Sequence, residues 1–198
     1  MNITIKKILF IAALFFSFNV SICQDNTMTI GEGLRVINNK VYKENSNYLT
    51  FGGGAAFNPK RKAFEQSYAF SYNFSLRNIA LQAGYHVSSN DWFLNQSLQK
   101  LNDIHIGGGI RWEKDKSNTA ILAGASYAYG ADKNIVNDTV YYTAFTEFGL
   151  YVEYQMTYKA FYDVGFGATA FLSANTKYMI CGIRLEFYFS PAYRREFY

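Results

Sequence analysis

The sequence predicts an all-β fold, a closed antiparallel transmembrane β-barrel of about eight strands connected as an up-and-down meander. Three observations lead to this prediction. The chain contains 18 Phe and 17 Tyr, yet its mean hydropathy is only -0.11, so large apolar residues are interspersed with polar ones. Many segments alternate between the two with a period of two residues, which is typical of strands. The face opposite the aromatic residues carries small side chains instead of a charged surface.

Residues 1–23 are expected to be a secretory signal peptide. Two lysines precede the apolar stretch Ile8–Phe18, and a short polar region follows. This order is typical of a cleaved signal, and the apolar stretch is too short to span a bilayer as a helix. We expect cleavage after Cys23. Acylation of Cys23 is the alternative, although Ile22 stands where a lipoprotein signal has a small residue.

Charge and cysteine content exclude several classes of function. The predicted signal peptide contains two lysines and no acidic residue, so its removal lowers the formal net charge from +4 to +2. No run of Lys or Arg indicates nucleic-acid binding. Cys181 is then the one remaining cysteine, which excludes an intrachain disulfide and a Cys-rich metal site. No His or carboxylate cluster has metal-ligand spacing, so neither a metal nor a cofactor is expected.

Eight segments of roughly ten residues alternate. The clearest is Gln66–Leu76, where aromatic residues and Leu alternate with Ser, Ala and Asn. The predicted strands are Tyr48–Phe57, Gln66–Leu76, Ile79–Ser88, Ile104–Trp112, Ile121–Tyr129, Tyr142–Tyr154, Tyr162–Leu172 and Met179–Phe189.

Glycines decide which face of these strands points inward. Twelve lie in the predicted strands, and ten share the polar face, namely Gly52, Gly54, Gly84, Gly107, Gly109, Gly124, Gly149, Gly165, Gly167 and Gly182. A soluble barrel needs bulky apolar side chains inside, whereas a narrow transmembrane barrel needs small ones there. The aromatic face therefore suits lipid, with girdle residues Trp112, Tyr127, Tyr129 and Tyr154 near strand ends. The sheet must close because the unpaired backbone groups of an open sheet edge would have no hydrogen-bond partner in hydrocarbon.

The predicted organisation has four parts: a signal peptide (1–23), a periplasmic lead-in (24–47), the barrel (48–189) and a C-terminal tail (190–198). The connections 77–78, 113–118 and 155–160 are short and are placed in the periplasm, whereas 58–65, 89–103 and 130–139 are longer and are placed outside. The short connection 173–176 departs from this trend. Met28–Val36 alternates weakly, and counting it would give nine strands. The sequence also leaves open whether the barrel has eight strands or ten.

The alternating segments resemble the small outer-membrane barrels of the OmpA and OmpX type, particularly Bacteroidota versions with Gln directly after the cleavage site. The resemblance covers about residues 48–189. It implies an outer-membrane location, contact with outer-membrane lipid and an assembly signal made by a C-terminal aromatic. Phe187 and Phe189 end the alternation, and Phe197 and Tyr198 end the chain, so either pair fits that signal.

Six charged residues are predicted to face the lumen: Arg111, Glu147, Glu153, Asp163, Arg184 and Glu186. A salt-bridge network in a filled barrel is the favoured interpretation, because buried charges need compensation. A proton or ion path through a narrow pore is the alternative.

His86 and Ser88 are the candidate catalytic residues. The segment Gly84–Asn90 is similar to the His-x-Ser-Asn motif of outer-membrane lipid A deacylases, and a Ser nucleophile with a His base would require both side chains within hydrogen-bonding reach. The segment departs from that motif in its extra Ser89, in lacking a preceding Arg and in pointing both side chains inward. A structural histidine, sharing the lumen with His105, is favoured.

The longest predicted outer connection is a candidate contact surface. Asp91 is placed to cap a short helix. The apolar residues of this surface are Trp92, Phe93, Leu94, Leu98 and Leu101. They either form a self-packed lid over the barrel or contact other outer-membrane proteins or lipoproteins. The sequence thus favours a non-enzymatic structural or accessory subunit, with a lipid A-modifying enzyme and a narrow pore as alternatives.

Overall fold

Eight antiparallel strands form a closed barrel, which confirms the predicted fold class, and four short strands form a second sheet. The computed structural model describes residues 28–29, 33–37, 39–76, 79–90, 100–136 and 139–196. The predicted signal peptide lies outside them. In chain order the strands are β1 (Met28–Thr29), β2 (Leu34–Ile37), β3 (Lys40–Lys43), β4 (Tyr48–Asn58), β5 (Ala63–Leu76), β6 (Ile79–Ser89), β7 (Lys100–Glu113), β8 (Ser117–Val136), β9 (Thr139–Lys159), β10 (Val164–Asn175), β11 (Met179–Phe189) and β12 (Tyr193–Glu196).

Strands β4 to β11 pair with their chain neighbours, and the first and last strands close the ring. Leu49 pairs with Phe189 and Phe57 with Cys181 across that closing seam. Pairing around the whole ring satisfies the backbone donors and acceptors that an open edge would leave exposed. Among the described residues no helix is long and apolar enough to cross a bilayer.

The two faces of the barrel differ as the alternation predicts. Large apolar side chains point outward and are exposed, including Phe70, Ile106, Leu150, Phe166 and Leu185. The polar residues between them are buried inside. Glycine makes space there: a β-carbon on Gly54 would collide with the backbone at Arg184, and one on Gly52 would collide with Glu186. An apolar exterior around a polar interior is the arrangement that lipid surroundings require.

Strand ends differ from the sequence prediction because the alternation continues into polar residues. The predicted loop 130–139 is part of a hairpin, in which β8 and β9 pair as far as Val136 and Thr139. Two β-branched residues precede Asn137–Asp138 and two follow it, a pattern typical of a two-residue hairpin turn. Strand β7 begins at Lys100 and β9 ends at Lys159, so parts of two other predicted connections are strand.

The second sheet brings the two ends of the described chain together at one end of the barrel. Its order is β1-β2-β3-β12, so part of the predicted lead-in and part of the predicted tail form strands. Tyr193 pairs with Tyr42. Asn39 has a φ of 59°, which suits the tight turn between β2 and β3. Tyr42, Tyr162 and Ala192 pack together between this sheet and the barrel.

Candidate functional site

The middle of the barrel contains a buried network around Arg184. Its guanidinium lies 3.0 Å from Glu153 through Nη2 and 3.0 Å from Glu186 through Nε. Nη2 also donates to the Tyr151 hydroxyl, which in turn donates to Glu153. Gln82 donates to the other oxygen of Glu153 at 2.5 Å. Arg184 therefore contacts two of the other five predicted lumen charges, Glu153 and Glu186.

A second layer, nearer the small sheet, is built around Arg111. This residue is fully buried and donates to Asn118 Oδ1 (2.5 Å), the Ser46 carbonyl (2.7 Å) and the Tyr188 hydroxyl (3.2 Å). Its Nη2 lies 3.2 Å from Glu113, which also pairs with Lys159. The guanidinium also lies 4.5 Å from the centroid of the Tyr48 ring.

The opposite end of the interior holds carboxylates that the sequence analysis missed. Glu65 is buried, pairs with Arg61 and accepts a hydrogen bond from Ser88. Asp103 is buried and accepts from Ser173 at 2.5 Å.

Four charged residues lie an even number of positions along their strands from residues already assigned to the lumen, and so point to the same side. They are Glu65, Asp103, Glu113 and Lys159. Extending the period-two pattern beyond the apolar part of each strand would have found them.

Glu147 and Asp163, also predicted to face the lumen, lie away from the central network. Glu147 lies beyond the last β9–β10 pair, Gly149 with Asn175, and accepts from Thr176 at 3.0 Å. Asp163 belongs to the turn before β10. Its carbonyl accepts from the backbone of Ser190 at 2.7 Å. Both side chains therefore lie at the rims of the barrel.

His86 and Ser88 are both fully buried in the lumen, and they have different partners. The Ser88 hydroxyl donates to Glu65, whereas His86 Nε2 lies 2.9 Å from the Ser67 hydroxyl. The His86 ring contacts Phe171, with 4.7 Å between centroids. A hydroxyl paired with a carboxylate inside the barrel is not presented to a lipid on the outside.

His105 shares the lumen with His86, as expected. Its ring stacks on Tyr151 at 3.8 Å between centroids, and its Nδ1 lies 3.6 Å from Asp103. Neither ring nitrogen of His105 has a hydrogen-bond partner in the described part of the chain. Within that same part, no three His, Cys, Asp or Glu side chains are placed to hold a metal ion.

Only one member of the predicted loop surface is described, and its placement corrects the prediction. Leu101 lies in β7 and is buried inside the barrel with Phe171, Tyr178 and Ile180. It takes this place because its strand continues inward-outward alternation past Asp103. Trp92, Phe93, Leu94 and Leu98 lie outside the described residues.

The distal part of the β8–β9 hairpin, residues Ala131–Val136 and Thr139–Ala144, is here called the outer hairpin. Among the described residues, β7 pairs with β8 as far as Gly130, and β10 pairs with β9 as far as Gly149. Six residues on each side therefore extend the ribbon by about 20 Å at the rise of a β-strand. Val140, Tyr141 and Tyr142 are 44–55% exposed.

These features define the architecture of a small eight-stranded outer-membrane barrel: a closed meander, an apolar exterior and a filled polar interior. No protein-family model matches the sequence, and no curated protein matches it as a relative.

Solved structures share this fold. Neisserial surface protein A is similar with a TM-score of 0.56 and 13% identity, covering 73% of this chain and 96% of that one. The attachment invasion locus protein Ail of Yersinia pestis is similar with a TM-score of 0.53 and 9% identity, covering 76% and 98%. Ail in complex with the heparin analogue sucrose octasulfate gives 0.52 and 8%, covering 75% and 97%.

Proposed function

We propose that this protein is a non-enzymatic outer-membrane barrel that presents the outer hairpin to a protein partner at the cell surface. The observation that carries the proposal is the hairpin itself. Within the described part of the chain it extends beyond the pairing with β7 and β10, and its residues Val140, Tyr141 and Tyr142 are exposed. Tyrosine is enriched in protein interfaces because one side chain offers both apolar area and a hydrogen-bonding group.

The orientation follows from the connections. The turns at 114–116 and 160–163 are short and lie at the same end as the small sheet, and in this class of barrel short turns face the periplasm. The outer hairpin lies at the other end. The sequence pattern of a secretory signal and the apolar exterior both favour the outer membrane as the place where this orientation applies.

The interior favours anchoring over transport. Arg111, Arg184, Tyr48, Tyr151 and Tyr188 are among its largest side chains, and each is less than 2% exposed. These side chains occupy the cross-section through which ions would pass, and the lumen of an eight-stranded barrel is just wide enough to be filled by side chains. We therefore expect no stable conductance when the purified barrel is inserted into planar bilayers. Reproducible single-channel steps would favour the pore.

Site-specific photocrosslinking in living cells tests the proposal. A photoreactive phenylalanine derivative in place of Tyr141 should form an adduct with one protein of defined size. Tyr158 is the matched control, because it is an equally exposed aromatic residue near the opposite end of the same strand. The proposal fails if Tyr141 gives no protein adduct, or if Tyr158 gives the same adduct.

A shortened hairpin provides the second arm of the test. Removing Lys133–Val136 and Thr139–Tyr142 leaves the paired residues Asp132 and Thr143 beside the original turn and keeps the alternation in phase. The Arg61–Asp132 ion pair is retained. The shortened barrel should keep its heat-modifiable mobility but lose the partner during purification in mild detergent. Full retention of the partner would contradict the proposal.

A second candidate function is binding of a polyanionic glycan. Lys60, Lys62 and Lys177 are exposed in two outer turns that touch, because the Lys60 ammonium donates to the Thr176 carbonyl at 2.6 Å. Ail, a structural neighbour, has been solved with a heparin analogue. Sucrose octasulfate should bind the wild type and bind K60A/K62A/K177A much less. Equal binding by both proteins would rule this candidate out.

A further inference from the structure

One side of the outer hairpin is a strand edge, formed by residues 140–146 of β9 and here called the β9 edge. In the described part of the chain, β10 pairs with β9 as far as Gly149, and the turn 176–178 then leads back into β11. Residues 140–144 are all exposed. The backbone N–H and C=O groups along such an edge are available for pairing with another strand.

The β9 edge lacks the features that normally protect an exposed strand. Its sequence is VYYTAFT, with no charge, no Pro and no Gly. All of its residues except Ala144 are β-branched or aromatic, the types that suit strands. The pairing with β8 runs through the segment without a bulge. Natural edge strands are usually very short or carry a charge, a Pro or a bulge, because each of these discourages pairing with another chain.

Other strands at the edges of this structure do have such protection. In the small sheet β1 has two residues, and β12 has four, of which three are charged. On the other strand of the outer hairpin, the charged residue Asp132 pairs with Arg61 of the β4–β5 turn. The contrast favours strand pairing as the use of the β9 edge.

An uncharged edge is able to pair with its own copy. In one antiparallel register Tyr142 faces the same residue of a second copy. Tyr141 then faces Thr143, and Val140 faces Ala144. Aromatic and β-branched residues opposite one another stabilise strand pairs, and no like charges meet in this register. The contact is two-fold symmetric, so the assembly closes at two copies.

The direction of β9 decides where the second copy lies. In the proposed orientation, β9 runs from the outer hairpin towards the periplasm in every barrel of one membrane. Two such edges run the same way, and the tilt of barrel strands makes them cross, so they do not pair antiparallel. A barrel in a facing membrane is inverted, and its β9 runs in the opposite direction. Antiparallel pairing therefore joins barrels of two facing membranes.

We propose that the outer hairpin binds the outer hairpin of a second copy of this chain in a facing membrane, by antiparallel pairing of the two β9 edges. The inference rests on the proposed function and names its partner. A stable dimer buries about 800 Å² on each partner, and one short strand edge offers less than that. A single contact is therefore weak, and many copies hold two surfaces together by avidity.

A charge exchange in vesicles tests the pairing. The full-length mature barrel is inserted into phosphatidylcholine vesicles that carry one of two dyes, and clustered vesicles are counted as two-colour particles. Wild-type vesicles should cluster. Tyr141→Lys vesicles alone and Tyr141→Glu vesicles alone should fall to the count of protein-free vesicles, because like charges meet across the paired edges. Mixing the two variants should restore clustering, because opposite charges then meet.

Asn134 provides the matched control. It is exposed and pairs with Tyr141 on the β8 side of the hairpin, one strand away from the proposed contact. N134K and N134E vesicles should cluster as the wild type does. Wild-type clustering by Tyr141→Lys alone, no clustering by the mixture, or an equal loss in N134K and N134E overturns the inference.

Photocrosslinking at Tyr141 separates this inference from the proposed function. An adduct with the mass of two barrels supports both. An adduct with a different protein supports the proposed function and overturns the second copy as its partner. The absence of any protein adduct overturns both.

Discussion

The imidazole of His105 lies directly against the backbone of Gly84, its partner on the neighbouring strand. A β-carbon at position 84 would overlap the ring, and the same ring is held from the other side by Tyr151. Small residues on the polar face are therefore the reason that rings and guanidinium groups fit inside so narrow a barrel. This relationship gives the first prediction.

Gly84→Ala should destabilise the barrel by about 1–3 kcal/mol, the usual cost of overpacking a filled interior. Gly53→Ala is the matched control, because its β-carbon points to the exterior, where it would meet the Tyr68 ring at 3.1 Å and the Ser67 carbonyl oxygen at 3.6 Å. Urea unfolding in phospholipid vesicles measures both. Equal stability of the two variants would contradict this prediction, because it would mean that the His105 ring can move away from an added β-carbon at no cost.

The Arg184 network gives the second prediction. Arg184→Met leaves Glu153 and Glu186 buried without their cation, and breaking a buried pair in this way costs about 3–5 kcal/mol. Adding Glu153→Gln removes one of the stranded charges and should restore part of the loss. Glu147→Gln, at the outer rim, should change stability by about 0.5 kcal/mol or less. The argument fails if Arg184→Met and Glu147→Gln unfold at the same urea concentration.

The sequence predicts the direction of each side chain better than the ends of the strands. Period-two alternation assigned Arg111, Glu153 and Arg184 to the interior because direction depends only on parity along a strand. Glu65, Asp103 and Lys159 were missed because one of the two residues beside each is polar or small, which interrupts the apolar alternation there. Their partners depend on register between strands, which no single strand specifies.

The small sheet lay beyond local prediction for a different reason. Strand β3 pairs with β12, about 150 residues later in the chain. Neither strand has more than four residues, and a pattern that short does not identify a strand. Tyr42 and Tyr162 meet only because the β9–β10 turn reaches this sheet, with 4.9 Å between their ring centroids. That contact therefore had no local sequence signal.

The deacylase interpretation of His86 and Ser88 gives the third prediction. Both side chains are buried, and Ser88 is bonded to Glu65 rather than to His86. We expect His86→Ala to leave the lipid A of the producing cells unchanged in mass spectra. The variant should instead lower stability, because the ring packs on Phe171 and bonds to Ser67. An acyl chain that is present in the variant and missing with the wild type would restore the enzyme hypothesis.

The attachment of the small sheet to the barrel gives the fourth prediction. Arg35 of β2 pairs with Asp115 of the β7–β8 turn and with Glu44, and this partly buried contact ties the sheet to the barrel. Arg35→Gln should lower the free energy of local opening by about 1 kcal/mol, as for other partly exposed ion pairs. Hydrogen exchange should then quicken at the β3 amides and stay unchanged in β6. Lys43→Gln removes an exposed charge from the same sheet and should leave both rates as they are. Uniform acceleration in β3 and β6 would instead mean that Arg35 acts on global stability, and unchanged exchange would mean that the hydrophobic contact of Tyr42 with Tyr162 holds the sheet alone.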